Sequence, residues 1–334
     1  MTATIRDVAR AAGVSEATVS RALRRLPHVA PATAQRIEAA AAALGFTPSD
    51  SAAALATGRT RLVSVVVPSV VSWFYGSVLE GVDATLRAAG FSAALIDLAQ
   101  ADGVRRRLTA RELRSARPIG HVVVGFELDA AEQALLREAS APIVTVGARI
   151  EGVPGIGIPE ERAAEMVVEH LAALGHRRIG HVGADREEGM NPAVGAARRA
   201  AWAAAVARLG LESRPEWFGS GAFRIEASRD AALAMLGAAD RPTAVFAASD
   251  ISAFGVLLAA QALGLRVPED VSVAGIDDHP FAAAHDLTTV RQSPREQGER
   301  AALVLLRGLG VGRGAVPAAT PLELVQRAST APPA

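Results

Sequence analysis

The first 46 residues carry apolar positions at helical spacing. Ile5, Val8, Ala9 and Ala12 share one face, opened by Thr4 with Asp7 three positions on, a capping-box pattern, and closed by Gly13. Ser15 caps a second predicted helix, with Val14 and Val19 as its hydrophobic staple and Val19, Ala22 and Leu23 turned inward. Its outer face is Glu16, Ala17, Ser20, Arg21 and Arg24. A third helix fits 33 to 44, with Ile37, Ala40, Ala41 and Leu44 inward and Gly45 as its stop. Beyond it Pro48 interrupts the chain, and SDSAAALA reads as a short helix capped by Ser49 or Asp50, too short to be stable alone, or as a passive linker.

From Leu62 the period changes. Short apolar runs (LVSVVV, AALI, HVVV, IVTV) alternate with helical stretches at 76–89, 105–116 and 130–139. A second series follows: a helix at 160–174, RIGHVG, a helix ending at Leu209, another at 224–238, TAVFAA, a helix at 251–263, and VSVAGI. This alternation predicts an α/β body of parallel sheets wrapped by helices, in two lobes. Sheets of this kind bind ligands beyond the carboxyl ends of their strands, so facing lobes enclose a ligand between them. The segmentation is therefore 1–46 for a helical head, 47–60 for a hinge and linker, and 61–330 for a two-lobed body.

Composition sharpens this picture. The chain has 334 residues, no cysteine, and 35 basic residues that are all arginine. Disulfides, thiolate metal sites, cysteine nucleophiles and lysine chemistry are thereby excluded. Formal net charge is zero, but unevenly spread: residues 1–60 hold seven arginines against four acids, a net of +3, while the rest holds 28 against 31. A basic minidomain on a mildly acidic body points to a polyanion partner. No apolar run is long enough to span a membrane, and the start, MTATIRDVARAAG, carries charge where a signal peptide is apolar; the expectation is a soluble cytoplasmic protein with no membrane partner.

Two short helices joined through a glycine turn, the second presenting small polar groups and arginine, describe a helix-turn-helix suited to the DNA major groove. Its hydroxyls can hold phosphates, and Arg21 can reach a guanine edge. The other reading of these three helices is a cap on the larger domain with a solvated charged face. In the body, Trp73, Phe74 and Tyr75 are consecutive in a chain only 4% aromatic, just past the first strand, where rings either stack on a ligand face or pack a helix start. Asp277 ends the apolar run VSVAGI, so its carboxylate is delivered to the cleft and can accept two hydroxyl hydrogen bonds. Asp250 is read as a helix cap. The glycine run Gly310-Val-Gly312-Arg-Gly314 follows a helix rather than a strand, and His170, His176 and His181 lack zinc-ligand spacing, so neither a dinucleotide nor a metal is predicted and no cofactor is expected. No nucleophile elbow or acid/base pair supports an enzyme.

TIRDVARAAGVSEATVSRAL resembles the N-terminal signature of the lactose-repressor/galactose-repressor family of bacterial transcription regulators, T-I-x-D-V-A-x-x-A-G-V-S-x-x-T-V-S-R, at every fixed position. EHLAALGHRRIGHVG, VLLAAQALGLRVPEDVSVAGIDD and LTTVRQ are similar to the family's sensor domain, whose fold is shared with periplasmic sugar-binding proteins. The resemblance implies that Glu16, Ala17 and Arg21 read bases, that Ser15, Thr18, Ser20, His28 and Thr33 hold the DNA backbone, and that Leu55 of the hinge helix wedges into the minor groove. It also implies that Ser72, Trp73, Phe74, Arg198, Ser249 and Asp277 contact an effector, and that residues near 288–320 return to the first lobe while the strand LELV ends in the second. Ser49, Ala54 and Pro159 depart from the family's usual Asn, Arg and Asp, and Ser249 from its frequent Asn. The implied function is a dimeric repressor on a pseudo-palindromic operator in double-stranded DNA, released or tuned by a small carbohydrate. The alternative is a purine-like corepressor; a solute-binding protein or an enzyme on the same fold lacks the required sequence features.

Overall fold

In the computed structural model the described residues are 3–23, 28–46, 60–100, 105–115, 117–125, 128–139, 141–147, 150–184, 192–311, 315–319 and 321–334. The chain divides into two compact units, Met1–Arg61 and Leu62–Ala334.

The smaller unit is built on the helices α1 (Ile5–Ala12), α2 (Glu16–Leu23) and α3 (Pro31–Ala43). Thr4 and Asp7 form the reciprocal capping box, and Gly13 stops α1 at φ 65°, a conformation glycine reaches without a Cβ penalty. The Ser15 hydroxyl accepts from the Thr18 N–H at 3.2 Å to cap α2. Val8, Val19 and Ile37, fully buried, bring one side chain from each helix into a common core, and Arg36 ties α3 back to the Ala12 carbonyl at 3.0 Å. Leu44, expected inward, is 41% exposed. It occupies the C-cap of α3, where the chain already leaves the helix: Gly45 donates to Ala42 and Phe46 to Ala41, the paired bonds of a Schellman ending, and Phe46 packs on the core instead.

The larger unit holds two sheets. The first runs in the order β2-β1-β3-β4-β5, built from β1 (Leu62–Val67), β2 (Ser92–Asp97), β3 (Gly120–Val124), β4 (Ile143–Val146) and β5 (Gly155–Ile156), all parallel. Its helices are α4 (Trp73–Ala88), α5 (Ala110–Arg114) and α6 (Ala130–Glu138). After β5 the chain passes to a second sheet through α7 (Glu160–Ala173), β6 (Ile179–Gly183), α8 (Pro192–Arg208), β7 (Phe218–Ser220), α9 (Ile225–Leu236), β8 (Ala244–Ala247), α10 (Asp250–Ala262), β9 (Ser272–Asp277) and β10 (Thr288–Arg291). It then returns to the first lobe as α11 (Pro294–Gly308) and ends in the second with β11 (Glu323–Val325). The second sheet has the order β11-β10-β9-β8-β6-β7, with β11 antiparallel to its neighbour and the other pairs parallel. Buried valines fill β1 and β3, as strands covered on both faces require.

Three expectations shift in detail. The return to the first lobe begins after Arg291, not at 288, because Thr288–Arg291 pairs with β9 in the second sheet. α11 then packs against α4, its Ala301, Ala302, Leu305 and Leu306 completing the first lobe's core. The close crossing depends on two glycines: a Cβ on Gly298 would lie 2.1 Å from the Val78 carbonyl oxygen, and one on Gly81 2.0 Å from that of Arg295. The helix expected at 105–116 shrinks to Ala110–Arg114, because Arg105 spends its guanidinium on a two-pronged ion pair with buried Glu132 (2.6 and 2.7 Å) and the chain starts its helix only at the Thr109–Glu112 capping box. The helix expected from 76 starts at Trp73, so the aromatic triplet forms its first turn.

His170 and His176, excluded above as metal ligands, hold the C-terminal tail. His170 Nε2 bonds the Thr330 hydroxyl at 3.0 Å, and His176 Nε2 bonds the Ala331 carbonyl at 2.9 Å. Among the described residues no helix is long and apolar enough to cross a membrane.

Candidate functional site

On the head, the exposed edge of α2 presents Glu16, Ala17 and Arg21, with Ser15, Thr18 and Ser20 beside them. Glu16 is held by Arg6 at 3.1 Å, a surface pair that such exposure makes worth about 0–1 kcal/mol and therefore easily exchanged for another donor. His28 is exposed at φ 73°, a left-handed conformation uncommon for a residue with a Cβ, and Thr33 lies half-buried in the first turn of α3. Leu55, with the rest of 47–59, lies outside the described residues.

In the body, residues at or just beyond the carboxyl ends of β1, β4, β8, β9 and β10 surround a cavity of about 110 Å³ that opens to solvent. Each polar group is set there by a strand end or a helix start. Asp277 closes β9 at φ 140°, followed by Asp278 at φ 54°. Two consecutive non-glycine residues at positive φ cost on the order of 1–3 kcal/mol each and persist only where their surroundings dictate them. Asp278 is clamped between Arg291 (2.7 Å) and Arg327 (2.6 Å), and the next residue, His279, donates its N–H to Asp250 at 2.8 Å.

Asp277 is buried, accepts from the Gln292 side-chain amide at 2.6 Å and from the N–H of Asp250 at the start of α10. Burial pushes its carboxyl above the usual range, while Arg198 and Gln292 pull the other way. Asp250 is not the cap of α10: the Ser249 hydroxyl takes that place, accepting from the Ser252 N–H at 3.1 Å. Asp250 instead ties α10 to the strand ends, accepting from the Thr289 hydroxyl at 2.6 Å as well as from His279. Burial first, and Asp277 next, raise its carboxyl to about 7. Only a glycine at 275 allows this approach, since a Cβ there would lie 2.3 Å from an Asp250 oxygen.

Arg198 lines the same cavity, nearly fully buried on α8, and its fork is already engaged. Nε and Nη2 donate to one oxygen of Glu160 at 2.8 and 2.6 Å, and Nη1 to the Ala248 carbonyl. Glu160 opens α7 directly after Pro159, which brings no side-chain cap. Ser72, at the N-cap of α4, also faces the cavity without capping its helix. Phe74 and Tyr75 line it from the first lobe, and Phe223 lines it from the second. The Tyr75 hydroxyl donates to the Gly125 carbonyl at 3.1 Å, so this ring is fixed. Trp73 also reaches the cavity, but its indole crosses to the second lobe and rests on the His279 ring, centroids 4.7 Å apart.

The structure thus brings Ser72, Trp73, Phe74, Arg198, Ser249 and Asp277 around one cavity. Sequence reasoning passed over Glu160, Gln292, Gln297 and Phe223, which line it too. Glu160 was signalled only by the departure at Pro159, and Phe223 by Gly221, which leads a turn where Ala222 and Phe223 both take positive φ.

Comparison with known proteins agrees with both units. Residues 4–49 match the model of bacterial regulatory proteins of the lacI family, and 168–330 that of a periplasmic binding protein-like domain. The CytR transcriptional repressor of Escherichia coli (strain K12) is 32% identical over 98% of this chain and 96% of its own length. The PurR repressor of Photobacterium profundum is 30% identical over 91% of each. Among solved structures, the lac repressor dimer bound to operator and the anti-inducer ONPF superposes with a TM-score of 0.85 at 25% identity, covering 99% of this chain and 100% of that one. A complex of the regulator CelR with cellobiose gives 0.69 at 28% identity, covering 98% and 99%. The chain therefore belongs to the lacI family of bacterial regulatory proteins, DNA-binding transcriptional repressors and regulators rather than enzymes.

Proposed function

We propose that this repressor binds a pseudo-palindromic operator as a dimer, through its α2 face, and is released when a small carbohydrate occupies the cavity of the body. Residues 1–46 act as the reader, 47–60 as the hinge with Leu55 as its wedge, and 61–330 as the sensor and dimerisation domain. Arg21, Glu16 and Ala17 contact bases; Ser15, Thr18, Ser20, His28 and Thr33 contact the backbone. The observation that carries the effector reading is the position of Asp277, a buried carboxylate at a strand end, next to Ser249 and Gln292 and beneath aromatic walls. Carboxylate and amide groups bind hydroxyls, and ring faces pack on the apolar face of a sugar. The cellobiose complex of a similar regulator supports the same class. One feature favours the second reading, a purine-like effector: both lobes bring a phenylalanine, Phe74 and Phe223, to the cavity, and aromatic faces also stack on flat rings.

Because the cavity lies between lobes, a ligand that fits the closed cleft better than the open one shifts the body toward closure, and by linkage alters DNA affinity by the same factor that DNA alters ligand affinity. The test is a thermal-shift panel of sugars and nucleobases, followed by operator titration with any hit. A ligand at ~100 times its Kd adds about 2.7 kcal/mol, readily seen as a higher melting temperature. Asp277→Ala should abolish that response and leave operator binding unchanged; a retained response removes Asp277 from the site.

A further inference from the structure

Around the cavity, charge is not balanced. Among the described residues two carboxylates, Glu160 and Asp277, face it with one guanidinium, Arg198. Glu160 takes two of the Arg198 donors on a single oxygen, and the Ala248 carbonyl takes a third. The other route by which such a cleft holds an anion is a helix N-terminus, where free N–H groups and the helix dipole attract negative charge. Of the helix starts at this cavity, those of α7 and α10 already carry a carboxylate, while that of α4 has no side-chain cap and is lined by the Trp73, Phe74 and Tyr75 rings. Glu160 is the first residue of α7, and Asp277 accepts the first N–H of α10, whose third N–H, in the same turn, is taken by the Ser249 hydroxyl. Behind Asp277, the carboxyl of Asp250 is met by the Thr289 hydroxyl and the His279 N–H, neither of them a cation.

We propose that Glu160 is a specificity residue: by engaging Arg198 it leaves the cleft with a surplus of negative charge, so that neutral or cationic effectors are accepted and phosphorylated or carboxylated ones refused. An anion entering here has to displace Glu160 from Arg198 and then lie beside Asp277. Both charges are screened little at this depth, and removing one partner of a buried pair leaves the other uncompensated. A ligand hydroxyl or ammonium group instead donates to Asp277 with no pair broken. This deepens the effector reading given above and rests on it for the location of the site.

The experiment uses inorganic phosphate, which requires no knowledge of the natural effector. Full-length protein is titrated with phosphate against chloride at matched ionic strength, by calorimetry and thermal shift. The native chain should show no saturable binding up to the highest phosphate concentration used, whereas Glu160→Gln, which frees Arg198, should bind saturably with a Kd at least about tenfold below that concentration, a gain of at least about 1.4 kcal/mol. Adding Arg198→Gln should remove that gain. Saturable phosphate binding by the native chain that Arg198→Gln abolishes would overturn the proposal, as would a folded Glu160→Gln with no gain. If Glu160→Gln does not fold, Glu160→Ala replaces it, and the matched pair glucose and glucose 6-phosphate is compared on the native chain. Phosphate ester binding as tight as or tighter than the neutral sugar is then the overturning result, and weaker binding or none the supporting one. A failed sugar panel with an intact phosphate result would instead count against the carbohydrate effector alone.

Discussion

Asp277 carries a conformational cost and an electrostatic one at the same position. Its φ of 140° strains the backbone, its burial disfavours the charged carboxylate, and it shares one pocket of low dielectric with Asp250. Replacing it by asparagine keeps the shape and the acceptor while removing the charge. Asp277→Asn is expected to be more stable than the native chain at pH 8, by on the order of 1–3 kcal/mol, with the difference shrinking toward pH 5 as the native carboxyl takes up its proton. Urea midpoints at the two pH values check this; an unchanged difference means the carboxyl is not held above its usual range. On the head, Arg21→Ala should cost about 1–3 kcal/mol on operator and little on random DNA, whereas a phosphate contact would weaken both alike. Fluorescence titration on the two DNAs separates these outcomes. What was legible at this scale was local. The Thr4–Asp7 box and the Gly13 stop need only neighbours three to nine positions apart. The Arg198–Glu160 pair spans 38 positions and has no sequence signature, so Arg198 read as a free fork. Gln292 and Gln297, hydrogen-bonded to each other at 2.9 Å, follow no periodicity and no motif.

Elements were legible where burial imposed a period, and displaced where a single side chain overrode it. The strands β1, β3 and β9 are apolar runs because both faces are covered, and such runs survive any error in tertiary detail. The arginine-rich stretch before Ala110 has helical propensity, but buried Glu132 takes Arg105 and also accepts the Leu108 N–H at 2.8 Å, which holds that backbone extended. The α4–α11 crossing was not legible either, since two glycines in helices read only as weak points until their contact is seen. Gly298→Ala should push α11 off α4 and destabilise the body by about 1–3 kcal/mol or more, against the roughly 1 kcal/mol gain that glycine to alanine gives in an unhindered helix. Chemical denaturation followed by tryptophan fluorescence measures the sign: stabilisation would mean the helices have room to spare.

At the scale of the whole molecule, the titrating groups pull stability in opposite directions at different pH. Asp250, at about 7, and Asp277, at about 6, have raised folded values, so the stability linked to them is complete below the ordinary aspartate range and lost as pH rises through 6 to 7. The histidines act the other way. His181, sealed among Phe246, Trp202 and Phe218 with its Nδ1 on the Phe246 carbonyl, is pushed by burial down to about 4, and burial also lowers His170 and His176, which pin the tail. Their folded form is neutral, so the stability they carry is present above about 6.5 and falls as pH drops below it. Glu132 and Asp278, which burial pushes up but their arginine partners pull below the ordinary carboxylate range, add their own loss only once pH approaches about 4. From pH 8 downward the ligand-free protein should therefore gain stability as Asp250 and Asp277 take up protons, with the histidines offsetting part of that gain below about 6.5, and the steep loss should come only below about 4, where the aspartate contribution is complete and Glu132 and Asp278 take up protons. Melting temperature across a constant-ionic-strength buffer series tests this. A maximum at pH 8 would show that burial does not raise the two aspartate carboxyls, and stability that still rises below pH 4 would show that the arginine partners of Glu132 and Asp278 do not hold those carboxyls below the ordinary range.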